Sequence, residues 1–370
     1  RAHGAEARRG ARADPRLNAV PDGPLDPQEA LAEAARAGIH CIPIPTPFLV
    51  GRVNCWLIED DPLTLVDTGP NSGKALDELE QALAARGHRI EELGLIIVTH
   101  QHIDHIGLVE VLARRSGAEI AALDRLAGYL GSYRQAAELD DAFAVALMLR
   151  HGIPADVTSA LRAVSSAFRG WSSGATVTRP LADDSRLTLR DRTFEVMHRP
   201  GHSPSDTVFW DAKRELLVGG DHLIKHISSN PLVARPLEDE HGDAATAGSA
   251  RPQALRSYIA SLTATRELPA RCVLPGHGEP VTDHRTLIDE RFAMTERRAR
   301  KIHGFLADGP LTAHELAQRM WGNVAVTQAF LTLSEVLGHL DLLCVEHKVR
   351  EIGDDADVVR FESVARADTA

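Results

Sequence analysis

The sequence predicts an α/β protein with two β-rich halves, a helical stretch inserted between them and a smaller domain at the C-terminus. Three observations carry that expectation. From Ile39 to Asp67, and again after Gly174, short apolar runs are punctuated by Gly, Asp and Pro, as strands and turns are. From Asn71 to Leu123 helix and strand alternate, the pattern of one half of an αβ/βα sandwich. From Asp124 to Trp171 apolar residues recur at spacings of three and four, the helical period, and beyond Arg285 a long charged helix changes the texture again.

At 370 residues the chain exceeds one typical domain. The expected division is a flexible N-terminal arm over residues 1–35, a catalytic domain over 36–284 with its helical insertion at about 124–171, and a small domain over 285–370. A hydrophobic share of 44% and a charged share of 25% are those of an ordinary globular protein. The net charge of −11 argues against a general polyanion-binding surface. Cys41, Cys55, Cys272 and Cys344 are scattered with no C-x-x-C pair, which reads as reduced thiols in a cytoplasmic protein. No segment approaches the ~18 consecutive apolar residues of a membrane span. The start of the chain lacks the apolar stretch of a signal peptide.

The elements follow in order. Residues 1–35 are rich in Ala, Arg, Gly and Pro, with little apolar periodicity before Leu31, and read as a solvated tail despite their arginines. CIPIPTPF, VNCWLIE and LTLVDTG read as strands separated by Gly51-Arg52 and Asp60-Asp61-Pro62. Asn71 to Arg86 is an amphipathic helix with Leu76, Leu79 and Leu83 on one stripe and Gly87 as its stop. A helix over Ile106 to Arg115 and a strand over Ala118 to Leu123 come next. In the insertion Leu139, Phe143 and Leu147, then Val157, Leu161, Val164 and Phe168, form the apolar stripe. LTL, FEVMH, TVFW and ELLVGG are the strands of the second half. A polar loop over 228–251 and a helix from Pro252 to about Thr265 lead to the strand that ends in PGHG.

The chemistry concentrates after the apolar run Leu95 to Val98, which suits a buried strand. His100, His102, Asp104 and His105 follow within six residues. A strand end opening into a loop aims alternate side chains at one point, and neutral imidazoles with a carboxylate are ligands for Zn(II), Fe(II) or Mn(II). This T-H-x-H-x-D-H string resembles the signature of the metallo-β-lactamase superfamily. The later markers stand in order: Asp67-Thr68-Gly69, the PGHSPS turn containing His202, Gly219-Gly220-Asp221, and the PGHG containing His277. The resemblance covers residues 40 to about 285.

The resemblance implies a four-layer αβ/βα sandwich whose helical insertion often roofs the active site. It implies two divalent metal ions, zinc first with iron or manganese as alternatives. His100, His102 and His202 would hold one, Asp104, His105 and His277 the other, and Asp221 would bridge them. Asp67 would support a ligand from behind, and Asp104 could also relay a proton. Two ions about 3.5–4 Å apart share a hydroxide of lowered pKa, so no Ser or Cys nucleophile is needed. His198, His222 and His226 lie near these positions in sequence and are assigned to packing or support.

Departures narrow the class. True β-lactamases of this fold commonly use Cys in the fourth motif and lack the His after the Asp, whereas Asp221 and His105 stand here. Flavin-coupled members carry Glu where His102 stands. The basic exosite of tRNA-processing members is not found, and persulfide-oxidising members share the string with a single iron. Beyond Arg285, helices followed by the hairpin pattern VREIGDDADVVRF resemble a winged-helix domain appended to one branch that includes an endoribonuclease. That stretch carries 11 Lys and Arg against 14 Asp and Glu, so packing or homodimerisation is expected of it rather than DNA reading. The expected function is hydrolysis of a small ester, thioester or lactone, with a small-molecule acyl substrate as partner. A metal-dependent endoribonuclease acting on RNA is the alternative. A binding module that has lost its metal fits poorly, because every ligand position is intact.

Overall fold

Helix α1 (Pro27–Arg36) opens the described chain; the computed structural model describes residues 25–237, 251–353 and 358–364. It corrects the expected flexible arm from residue 27 onward, while residues 1–24 lie outside the described residues. The Asp26 carboxylate accepts from the Gln28 amide at 2.8 Å, and Glu29 reaches back to the Asp26 amide, forming a capping box. Its fully buried residues are Ala30 and Ala34, with Leu31 partly buried beside them, too small an apolar signal to register as periodicity.

The first sheet is assembled from β1 (Ile39–Ile44), β2 (Val53–Ile58), β3 (Thr64–Val66), β4 (Leu95–Ile97), β5 (Glu119–Leu123) and β6 (Arg179–Leu181), in that spatial order. The first three strands pair antiparallel and the rest parallel. Every residue of β2 is buried, yet alternate side chains serve different cores. Val53, Cys55 and Leu57 face helices α2 (Gly73–Ala84) and α4 (Val109–Ser116), whereas Trp56 and Ile58 face the second sheet. A further short helix, α3 (Ile103–Ile106), carries part of the histidine-rich string. The helix expected over Ile106 to Arg115 is α4, which starts later, at Val109, with Ile106 ending α3 instead. At Gly107 a Cβ would lie 2.3 Å from the Asn71 amide nitrogen, so only glycine lets the chain pass there.

The insertion comprises α5 (Ala127–Gly131), α6 (Tyr133–Arg150) and α7 (Ala155–Phe168). The second sheet runs β11-β10-β9-β8-β7, from β7 (Arg186–Thr188), β8 (Thr193–His198), β9 (Thr207–Asp211), β10 (Leu216–Gly220) and β11 (Cys272–Pro275). Its inner face contributes Phe194, Val196, Phe209, Val218 and Leu274 to the core shared with the first sheet. Its outer face packs Val208, Trp210 and Val273 on α8 (Ala254–Arg266) and α9 (His284–Phe305). Helix, sheet, sheet and helix therefore stack as the expected αβ/βα sandwich.

After α9 come α10 (Ala313–Trp321), α11 (Val324–Thr327), α12 (Ala329–Val345) and a hairpin of β12 (Val349–Ile352) and β13 (Arg360–Ser363). One helix, α9, serves two cores, giving Leu287 and Ile288 to the sandwich and Ile302 to the C-terminal cluster. That cluster also takes Leu147 and Met148 from α6, with Phe143, Val157 and Leu161 against it. Phe143, Leu147, Val157 and Leu161 of the insertion's stripe thus pack on the C-terminal helices, whereas Leu139 and Val164 are exposed. Phe168 is placed differently, its ring 5.5 Å from that of Phe48 in the β1–β2 loop.

Candidate metal centre

The candidate ligands all leave C-terminal strand ends along one rim of the sandwich. Asp67 follows β3, His100 to His105 follow β4, His202 follows β8, Asp221 follows β10 and His277 follows β11. Asp67 adopts a left-handed conformation with φ of 58°, which Asp tolerates better than bulkier residues. This turns its carboxylate inward. One oxygen accepts from the Thr99 amide at 2.9 Å, and the other accepts from the Thr99 hydroxyl at 2.8 Å and faces His105 Nδ1 at 2.7 Å. With its proton given to Asp67, Thr99 Oγ can only accept from His100 Nδ1, 3.0 Å away. Both rings are thereby held with Nε2 inward.

Backbone carbonyls do the same for two other rings. His202 Nδ1 lies 3.2 Å from the Asn230 carbonyl, and His277 Nδ1 lies 2.8 Å from that of Arg52. His102 presents Nδ1 instead, 3.0 Å from His100 Nε2 and 2.9 Å from His202 Nε2. Three imidazole nitrogens therefore converge on one point. A second group, Asp104, His105 and His277, also brings its ligand atoms within 4.8 Å of one another. Asp221 stands between the two, with Oδ2 3.6 Å from His202 Nε2 and 3.5 Å from His277 Nε2, and Oδ1 3.5 Å from His105 Nε2.

The residues fit a cation on their own chemistry. His105 Nε2, His277 Nε2 and Asp221 Oδ1 are buried with no hydrogen-bond partner, a costly state unless something else satisfies them. Burial, with His105 and His102 nearby, holds His100 well below the ordinary imidazole range, and burial foremost draws His102 down to about 3. Neutral imidazole is the ligating form. Burial works against every charge here, yet Asp221 raises the pKa of both His105 and His277, and these rings hold its carboxyl well below the usual carboxylate range. An ion in this group would take the place of their protons. Gly276 makes the approach possible, since a Cβ there would sit 2.2 Å from Asp221 Oδ1.

Of the remaining histidines, His198 Nε2 faces the Pro204 carbonyl at 2.8 Å and buried His222 pairs with the Thr265 hydroxyl at 2.9 Å. His226 is exposed, against Gly278. None joins the cluster. Sequence reasoning missed the Asn230 and Arg52 carbonyls, which no side-chain pattern could announce. It also missed the short Ser205–Gln101 bond that ties the His202 turn to the His100 loop.

A family model described as the metallo-beta-lactamase superfamily matches residues 49–277. The chain belongs to this superfamily. It is 30% identical over 328 residues to a "Probable metallo-hydrolase YqjP" of Bacillus subtilis (strain 168), covering 89% of this chain and 98% of that protein. It is similar to the crystal structure of a metallo-beta-lactamase family protein from Thermus thermophilus, with a TM-score of 0.71, 25% identity, and 88% and 99% of the two chains covered. A beta-lactamase domain protein from Burkholderia ambifaria gives a TM-score of 0.73 and 26% identity over 88% and 92%. Members of the superfamily generally bind divalent metals, and the groups around Asp221 are where this chain could hold them.

Proposed function

We propose that this chain is a metal-dependent hydrolase that holds two divalent ions and cleaves a small ester, thioester or lactone. Zinc is the first choice of metal, with iron or manganese as alternatives. His100, His102 and His202 hold one ion, Asp104, His105 and His277 the other, and Asp221 serves both. The observation that carries this reading is the position of Asp221 between two ligand groups whose inward atoms lack partners. Ions held there would supply an activated water and a Lewis-acid contact to the substrate oxygen.

The chain's own residues support hydrolysis without a covalent intermediate. The neighbouring hydroxyls are engaged, Thr99 Oγ on Asp67 and Thr68 Oγ on the His105 carbonyl at 2.9 Å. Asp104 Oδ2, 3.3 Å from His277 Nε2, is the carboxylate we assign to proton relay. Phe48, Phe168 and the turn ending at Trp171, which packs on α3, give the surroundings an apolar wall. Leu49 beside it is 95% exposed. Such a wall suits an acyl tail.

The RNA alternative needs a cationic track and stacking faces. In a winged-helix reader a helix enters a groove, but α12 buries Leu333, Val336, Leu337 and Leu340 in the C-terminal core. We therefore keep DNA out of the proposal and place RNA second. The test is one preparation assayed on thioesters, esters, lactones and single-stranded RNA, with Asp221→Ala as the control for contaminating nuclease. Acyl turnover is expected to exceed RNA cleavage by roughly 100-fold in kcat/KM, about 2.7 kcal/mol in barrier. RNA cleavage that vanishes in Asp221→Ala, with no acyl hydrolysis in the wild type, reverses the order.

A further inference from the structure

We infer that the C-terminal helices tune the His202 side of the site through a strap, residues 224–233, whose Asn230 carbonyl fixes the His202 ring. The inference rests on the reading above that His202 is a ligand. The strap has neither helix nor strand of its own, so its shape depends on what its polar groups bond to elsewhere.

Those bonds go to the C-terminal helices. At the start of the strap, one guanidinium nitrogen of Arg291, on α9, lies 3.0 Å from each of the Ile224, Lys225 and Ile227 carbonyl oxygens. At its end, Asn230 Nδ2 donates to the Leu331 carbonyl at 3.1 Å, and the Val233 amide donates to Ser334 Oγ at 3.2 Å, both on α12. The Val233 side chain is fully buried in the C-terminal core. Between these anchors the Asn230 carbonyl turns the other way, to His202 Nδ1 at 3.2 Å. Residue 230 therefore bonds His202 with its backbone and α12 with its side chain.

The consequence is specific to one ligand group. Partners behind a ligating histidine fix its tautomer and ring orientation, and losing one costs ~10–100-fold in metal affinity or activity. The rings of His100, His105 and His277 take their outer bonds from Thr99, Asp67 and Arg52, none of which belongs to the C-terminal helices. Loosening the α12 anchors thus disturbs the His100–His102–His202 group and spares the Asp104–His105–His277 group. Asn230 and Ser334 are positioning residues that touch neither metal nor substrate.

The test titrates the metal-free full chain with Co(II), read by its visible absorption and by chelator competition, in wild type, Asn230→Ala, Ser334→Ala and Thr332→Ala. Thr332 is the control. It lies on the same helix and is buried, but among the described residues its hydroxyl bonds the Gln328 and Ala329 carbonyls at that helix's own start. Asn230→Ala and Ser334→Ala are expected to weaken one of the Co(II) ions by roughly tenfold or more and leave the other at wild-type affinity. Thr332→Ala should leave both unchanged. If both strap variants keep both affinities, or if Thr332→Ala loses as much, the strap inference is overturned and the hydrolase reading stands. If His202→Ala binds Co(II) as the wild type does, both fall together.

Discussion

The carboxylate of Asp67 works from behind the site, accepting from Thr99 twice and facing His105 Nδ1 at 2.7 Å. Asp67→Asn keeps the size and removes the charge that holds His105 with Nε2 inward. Metal affinity of the His105 group should fall by ~10–100-fold, read by chelator competition, with a smaller change in thermal stability. An unchanged affinity would mean that Thr99 alone sets these rings. The side chains of this site were legible in the sequence because imidazoles and carboxylates at strand ends are rare and tightly spaced. The carbonyls of Arg52 and Asn230 were not, since every residue carries one and only the fold decides which faces a ring.

At the scale of elements, the helical period of the insertion identified an apolar face but not its partner. Phe143 and Phe168 belong to the same expected stripe, yet Phe143 packs on the C-terminal core and Phe168 pairs with Phe48. Phe143→Ala should lower thermal stability, by less than the ~3–5 kcal/mol of a fully buried Phe, and leave chain-length preference alone. Phe168→Ala should raise KM for long acyl chains more than for short ones. Identical chain-length profiles in Phe168→Ala and wild type would remove Phe168 from the substrate wall. The junction between insertion and hairpin carries its own pH signature. His151 ends α6 and stacks on Phe361, its ring centroid 6.0 Å away. Burial first, then Arg251 and Arg150, lowers its pKa from 6.5 to about 3. The unfolded chain therefore takes up the proton first. This contribution to stability is intact above about pH 6.5 and is lost as pH falls toward 3, at up to about 1.4 kcal/mol per unit. Urea midpoints between about pH 7 and 4 should fall less steeply in His151→Gln than in the wild type; parallel slopes would show that this ring does not set the acid limit.

Across the whole molecule, the order of strands and helices was readable because most strands are bounded by turn residues and helices such as α2 and α4 bury one apolar face. What escaped was where tertiary geometry overrides local pattern. Gly107 must be glycine because Asn71 and Pro70 lie where a Cβ would be, and Ala30 and Ala34 bury a helix too weakly apolar to announce itself. The C-terminal charge balance was legible, but not that α9 and α6 would join those helices to the sandwich in shared cores. Among the described residues no helix is long and apolar enough to cross a membrane. The central claim concerns the ions, and elemental analysis of fully active protein beside Asp221→Ala tests it most directly. About two divalent ions per wild-type chain are expected, with metal and hydrolytic activity lost together in the variant. A single iron per chain in fully active wild-type protein would contradict it.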